Sequence, residues 1–221
     1  PSEEFNSKFP TLYAWTLLVD YNCDGKEDIF SYSLPIAGIR VWKNTSTSGN
    51  LQFTLETNYI KSDYGASTAN LYVSQVDIPA IEDVDGDGDI DMVVAGYGGY
   101  STLYLNDGDG SFDTTQYQLT AANASTWAVR MGDLNGDGKL DRLLGTSPLT
   151  IYLNDGTGNP FDSAGLTYNV IFNSGVSALA VGDVDGDGRL DIAVSEGSGG
   201  SLLLNDGSGN PFEGTRLPIS L

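Results

Sequence analysis

Short apolar runs of about five residues alternate along the whole chain with clusters of Gly, Asp and Asn. Runs such as Met92–Ala95, Ala178–Gly182 and Ile192–Ser195 are bounded by these turn formers and have the length of strands. The segment Leu166–Phe172 alternates apolar and polar positions, as a half-exposed strand does. Helical spacing of apolar positions over ten or more residues is absent, so the pattern predicts strands and turns only.

The pattern recurs. Four segments align: DYNCDGKED from Asp20, DVDGDGDID from Asp83, DLNGDGKLD from Asp133 and DVDGDGRLD from Asp183, with starts 63, 50 and 50 residues apart. A strand ending in Asn follows each, at Asn44, Asn106, Asn154 and Asn205, after 24, 23, 21 and 22 residues. Two motifs in four copies at matched spacing define a repeat of about 50 residues. Each repeat reads as strand A entering the Asp loop, strand B leaving it, strand C ending at the Asn, and strand D after an NDGxG turn. Four strands per repeat suggest the blade of a β-propeller. The expected architecture is all-β: one propeller domain over 1–221, with repeats at about 11–60, 74–122, 127–173 and 177–221. The polar stretch 58–71 is expected to be an insertion loop, because the first interval is 13 residues longer than the others.

Composition narrows the chemistry. Thirty acids against 10 Lys and Arg give a net charge of −20, which excludes nucleic-acid binding by phosphate neutralisation. Of the acids, 23 are Asp and 7 are Glu, beside 28 Gly; an Asp excess of this kind points to turns and oxygen ligands. No histidine is present, which removes Ser-His-Asp and Cys-His catalysis and the usual zinc ligands. A single cysteine, Cys23, excludes an intrachain disulfide. No run of about 18 apolar residues exists, so no membrane insertion through a helix is expected.

Numbered from its first Asp, each loop carries Asp or Asn at positions 1, 3 and 5, Gly at 6 and Asp at 9. Side chains at alternate positions converge only if the backbone curls, and the Gly at position 6 permits the turn. Position 7 varies (Lys26, Asp89, Lys139, Arg189), which suggests that its carbonyl oxygen faces the centre. The expected metal set is therefore Asp20, Asn22, Asp24, Lys26 and Asp28; Asp83, Asp85, Asp87, Asp89 and Asp91; Asp133, Asn135, Asp137, Lys139 and Asp141; and Asp183, Asp185, Asp187, Arg189 and Asp191. Five or six hard oxygens per loop select Ca2+, about four ions in all. Position 12 (Ser31, Val94, Leu144, Val194) lies in an apolar run and lacks the bidentate Glu of an EF-hand.

The DxDGDGxxD loop followed by a strand resembles the FG-GAP/VCBS repeats of integrin α-chain-like propellers, over most of the chain. That resemblance implies Ca2+ in the A–B hairpin of each blade, and a secreted or cell-surface protein. Seven blades are usual for such propellers, so four repeats imply a compact four-bladed ring, part of a larger one, or an oligomer that completes one. The expected function is a calcium-stabilised binding or adhesion module for an extracellular glycan or protein. A structural spacer rigidified by calcium is the alternative, and part of a polysaccharide-degrading enzyme a third reading. No acid outside the loops sits in a distinctive motif, so no catalytic residue is expected. Tyr97 and Tyr100, in AGYGGYS between strands B and C, are the candidate ligand contacts. Trp15, Trp42 and Trp127 are expected to pack inside the blades.

Overall fold

Every regular element among the described residues is a strand, as the alternation predicts. The computed structural model describes residues 10–35, 37–57, 60–64, 67–70, 73, 79–95, 97–106, 112–119, 124–157, 160–161, 167–170, 176–197, 199–208, 211–212 and 215–219. The chain divides into two compact units, Pro1–Val76 with Asn106–Thr114, and Asp77–Leu105 with Thr115–Leu221.

In the first unit, β1 (Tyr13–Val19), β2 (Asp28–Ser33), β3 (Gly38–Asn44) and β4 (Phe53–Thr57) form a four-stranded antiparallel sheet in chain order. Phe30, Ile39 and Val41 share one face of it and are fully buried. The stretch 58–71, expected as a loop, instead holds a hairpin of β5 (Lys61–Tyr64) and β6 (Ser67–Asn70), paired from Lys61↔Asn70 to Tyr64↔Ser67. Its polar side chains suggested a loop, but backbone pairing and two apolar anchors decide the matter. Ile60 and Val73 are buried, the Ile60 N–H donates to the Ile39 carbonyl at 3.0 Å, and Ser62 pairs in parallel with Phe112.

The second unit holds β7 (Ala80–Glu82), β8 (Asp91–Val94), β9 (Tyr97–Gly99), all but the last residue of β10 (Thr102–Asn106), the end of β11 (Phe112–Gln118) and β12 (Ala124–Ser125). Two regular four-stranded sheets follow. The first is β13 (Val129–Gly132), β14 (Asp141–Leu144), β15 (Leu149–Tyr152) and β16 (Thr167–Val170); the second is β17 (Val176–Gly182), β18 (Asp191–Glu196), β19 (Gly199–Leu204) and β20 (Thr215–Ile219). Successive side chains of β14 point to opposite faces, so one strand serves two interfaces. Leu144 packs with Val93, Leu103, Val129 and Phe161 against the second repeat, while Leu143 packs with Leu149, Ile151, Leu179 and Ile192 against the fourth. Each fully buried aliphatic side chain contributes roughly 1.5–3 kcal/mol, so these two layers hold the second unit together.

The tryptophans divide. Trp15 is buried as expected, and Trp42 is half-buried with the Arg40 guanidinium 5.9 Å from its ring centroid. Trp127 is 48% exposed, against expectation. Its N–H donates to the Gly145 carbonyl at 3.0 Å, while the apolar layers are filled by its neighbours Ala128 and Val129, which leaves the indole outside.

Arg142 has no counterpart in the other repeats, which carry Ile29, Met92 and Ile192 at this position. It is fully buried, with its guanidinium 3.9 Å from the Tyr152 ring centroid and 4.6 Å from that of Phe161. Neither Nε nor Nη1 has a hydrogen-bond partner, and burial pulls its pKa down to about 9 in spite of Tyr152. Cation–π contact offsets only part of such a desolvation cost. Arg142→Met, which installs the side chain of the second repeat, is expected to be neutral or to stabilise by about 1–3 kcal/mol in denaturant titration. A loss of more than about 2 kcal/mol would show that the two rings fully compensate the charge.

Candidate functional site

The Asp loops are built from backbone N–H groups gathered by carboxylates. The two oxygens of the first Asp accept from positions 4 and 6: Gly86 and Gly88 on Asp83 (2.8 and 3.1 Å), Gly136 and Gly138 on Asp133 (2.7 and 2.9 Å), and Gly186 and Gly188 on Asp183 (2.7 and 3.0 Å). These glycines have φ between 76° and 98°, a region that other residues enter only with strain. Cys23 enters it at φ 54°, so the first loop makes the same left-handed turn without a glycine; there Asp20 accepts from Asp24 and Gly25 (3.0 and 2.8 Å). At position 3, Asn22, Asp85, Asn135 and Asp185 each accept the N–H of position 5 through Oδ1. Position 5 accepts the N–H of position 7 in the same way, at 2.9–3.1 Å.

Side chains at position 7 are less indifferent than the sequence suggests. Lys26 and Lys139 reach Asp24 and Asp137 at 4.0 and 3.0 Å, and Arg189 pairs with Asp187. Asp89 provides no such cation in the second loop. Asp137 consequently sits below the usual carboxylate range: partial burial pushes it up, but the N–H and ammonium of Lys139 and the Asn135 amide more than offset this.

The position-9 carboxylates (Asp28, Asp91, Asp141, Asp191) are all fully buried. In the last three loops Oδ2 accepts the N–H of position 2, from Val84, Leu134 and Val184 at 2.8, 2.8 and 2.9 Å. In the first loop Asp28 Oδ2 is buried with no hydrogen-bond partner. Asp83, Asp85 and Asp91 each bring an oxygen within 4.8 Å of the others, and so do Asp183, Asp185 and Asp191. That spread matches oxygens about 2.3–2.6 Å from a shared cation, so both loops could hold a metal ion through hard oxygen ligands. In the first and third loops Asn22 and Asn135 replace one of the three acids.

Crowding of carboxylates leaves its mark. Burial raises Asp85, with the charges of Asp87 and Asp83 adding to it, and burial raises Asp28 with help from Asp24 and Asp20. Asp141 is pushed up to about 6, by burial first and by Asp137 and Asp133 next, against hydrogen bonds from Asn154 and Leu134. The folded, metal-free chain therefore holds a proton on Asp141 that the unfolded chain, near its ordinary 3.8, releases earlier. The resulting stabilisation is fully present below pH 3.8 and lost as pH rises through about 6. Asp141→Asn is expected to flatten that loss in urea titrations of the metal-free chain at pH 4.5 to 7. An unchanged slope would show that Asp141 does not titrate there.

A second set of contacts went unseen in the sequence. The Asn that ends strand C donates its N–H to the position-9 Asp, from Asn154 to Asp141 and from Asn205 to Asp191, at 2.9 Å each. Its side-chain amide donates within its own repeat, Asn154 to the Leu140 carbonyl at 3.2 Å and Asn205 to that of Leu190 at 3.1 Å. The same amide also crosses to the preceding repeat, Asn154 to Val84 O at 3.0 Å and Asn205 to Leu134 O at 2.8 Å. Val84 and Leu134 occupy position 2 of the preceding Asp loop, so the second and third loops are each tied to the next blade through one residue. Recurrence of Asn at this place was visible, but only its turn role was readable.

Between the third and fourth loops lies a cavity of about 340 Å3, lined among others by Asp133, Asn135, Arg189, Asn205, Ser208 and Pro211. Its polar groups offer both donors and acceptors. Tyr97 and Tyr100 are elsewhere: the Tyr97 backbone lies in β9, paired with Ser125 of β12, rather than in a free turn, and Tyr100 is 45% exposed. The glycines around Tyr97 suggested a turn, but pairing with Ala124 and Ser125 extends the backbone over Tyr97–Gly99.

Comparison with known proteins places this geometry. FG-GAP-like repeat descriptions match residues 83–144 and 143–194, and the FG-GAP repeat description matches 175–214, together more than half of the chain. The chain belongs to the FG-GAP repeat family. Its sheets are the blades of a β-propeller fold, and similar solved structures agree. An Agrocybe aegerita lectin, solved for its specific recognition of non-reducing terminal N-acetylglucosamine, shares 22% identity at TM-score 0.58, over 91% of this chain and 51% of that one. The V. cholerae biofilm matrix protein Bap1 shares 21% at TM-score 0.51, over 87% of this chain and 27% of that one. BBS1N, solved in complex with ARL6DN, shares 12% at TM-score 0.56, over 97% and 56%. The FG-GAP chain thus spans about half the length of the lectin chain. No curated protein matches significantly. Among the described residues, no helix is long and apolar enough to cross a membrane.

Proposed function

We propose that this FG-GAP chain is an extracellular, non-catalytic binding module whose four Asp loops hold Ca2+ and whose ligand is a glycan. The polar cavity beside the third and fourth loops carries this reading. Calcium would be held by the carboxylates at positions 1, 3, 5 and 9 (Asn at position 3 in two loops) and would fix the loop backbones that form the cavity wall. The cavity has room for a single sugar residue, and the Arg189 guanidinium and Ser208 hydroxyl on its lining offer donors and an acceptor for hydroxyl and acetamido groups. The lectin relative and the matrix protein relative lend the reading support from outside the chain.

A glycan-array screen of the calcium-loaded chain tests it, with terminal N-acetylglucosamine as the first probe. Binding is expected in calcium and should disappear in excess chelator. Ser208→Trp, which fills the cavity from an exposed turn, should abolish binding without lowering the melting temperature. An array without signal would favour the spacer reading, and binding that survives Ser208→Trp would move the ligand elsewhere, to Tyr100 in the first instance.

A further inference from the structure

The third Asp loop carries the only Asn-Gly pair in the chain, Asn135 and Gly136. In such a pair the backbone nitrogen of the glycine can attack the side-chain amide before it, since no Cβ on the second residue obstructs the approach. The loop assists the attack. Asn135 and Gly136 are exposed, so water reaches the amide. The Gly136 N–H donates to Asp133 Oδ1 at 2.7 Å, which places a carboxylate where the proton goes as the nitrogen becomes nucleophilic. Asn135 Oδ1 accepts the Asp137 N–H at 2.9 Å, a donor aimed at the oxygen on which negative charge develops.

The equivalent positions of the other loops lack part of this arrangement. Asn22 is followed by Cys23, whose side chain hinders the approach, and its Nδ2 is buried. Asp85 and Asp185 are followed by glycines that donate to the first Asp of their loops at 2.8 and 2.7 Å. Both are carboxyl groups, however, and an ionised carboxylate is a poor electrophile.

We propose that Asn135 is a site of spontaneous deamidation, with Asp133 as the proton acceptor. The Gly136 nitrogen bonds to Cγ of Asn135 and passes its proton to Asp133. The Cγ–Nδ2 bond then breaks, and ammonia leaves with the proton that Asp133 took up. Water opens the resulting cyclic imide at one of its two carbonyls, which gives aspartate or isoaspartate at 135. The aspartate product completes the acid set that the second and fourth loops carry at positions 1, 3, 5 and 9. Under the calcium reading, the third loop thereby passes from the weak class to the strong one. The isoaspartate product lengthens the loop backbone by one methylene, so position 3 no longer meets the Asp137 N–H. The modification itself does not rest on the calcium reading; only its consequence for affinity does.

Peptide mapping by mass spectrometry, on the full chain held metal-free at mildly alkaline pH, provides the test. The peptide containing Asn135 is expected to gain the mass of an amide-to-acid exchange with time, while Asn22 stays intact. Asp133→Asn should slow that gain at least about tenfold, the lower end of what a positioned base contributes. Rate against pH adds a readout that a loosened loop would not mimic: the wild type should depend less steeply on hydroxide than Asp133→Asn. An Asn135 that lasts as long as Asn22 would overturn the proposal. Equal rates and equal pH dependence in the wild type and Asp133→Asn would overturn the role of Asp133. Asn135→Asp, the product made directly, should add one high-affinity step to a calcium titration. An unchanged titration beside a modified Asn135 would overturn the calcium reading of this loop and leave the modification standing.

Discussion

Excess chelator is expected to lower the melting temperature of the calcium-loaded chain sharply, with the loops losing their ions in a definite order. At about 100 times the dissociation constant each site adds roughly 2.7 kcal/mol, so four sites rival the ~5–15 kcal/mol stability of a whole domain. Four ions would also change the net charge from −20 to −12 (−20 + 4 × 2), relieving repulsion among the loop carboxylates. The second loop should bind most tightly. Asp83, Asp85 and Asp91 already converge there, and position 7 is Asp89 rather than a cation paired with the position-5 carboxylate. The fourth should follow, since its converging acids must compete with Arg189 for Asp187. The first and third, with Asn22 and Asn135, should be weakest. Asp85→Asn and Asp185→Asn convert the strong loops to the weak type, and each should remove one high-affinity step from a calcium titration. Asp187→Ala should cost more melting temperature than Asp137→Ala. A melting curve indifferent to chelator would sink the whole account.

What could be read from the chain and what could not separate along a physical line. The Asp loops were legible because backbone curvature and ligand spacing are local, set by residues within nine positions of one another. Even the substitution of Cys23 for glycine proves compatible, since the turn tolerates its φ of 54°. The blades were legible because alternation and a matched period survive in the sequence. Pairing between distant segments was not. The hairpin β5–β6 is polar in sequence, and its backbone pairing, with Ile60, Val73 and the bridge to Phe112, makes it an element. Trp127 looked like a core residue by type, yet its exposure depends on which neighbours reach the two apolar layers first. Arg142 was not read from the sequence at all: its mismatch with Ile29, Met92 and Ile192 is visible in the repeats, but nothing local reveals that two aromatic rings enclose it.

Asn205→Ala is expected to be among the most destabilising single changes outside the apolar core, at about 2–4 kcal/mol. The amide is buried and donates to Leu134 O and Leu190 O, while Oδ1 accepts the Gly207 N–H at 3.0 Å. Truncation leaves two carbonyls without this donor where water has little access, and an unsatisfied buried group costs about 1–3 kcal/mol. Asn205→Asp should be worse in the metal-free chain. It keeps the shape, but it turns a donor into an acceptor aimed at two carbonyls and adds a charge beside the buried Asp191. Asn44→Ala provides the internal control. Asn44 makes the same local bonds but, among the described residues, no bond to another repeat, so its loss should cost only about 1–2 kcal/mol. Because Leu134 sits within the third Asp loop, Asn205→Ala should also weaken calcium binding there, while Asn44→Ala leaves that loop untouched. Urea titrations of the three variants, each with and without calcium, read both effects together. Equal costs for Asn44→Ala and Asn205→Ala would mean that the cross-blade bond contributes nothing, and that the amide acts only as a cap on its own turn.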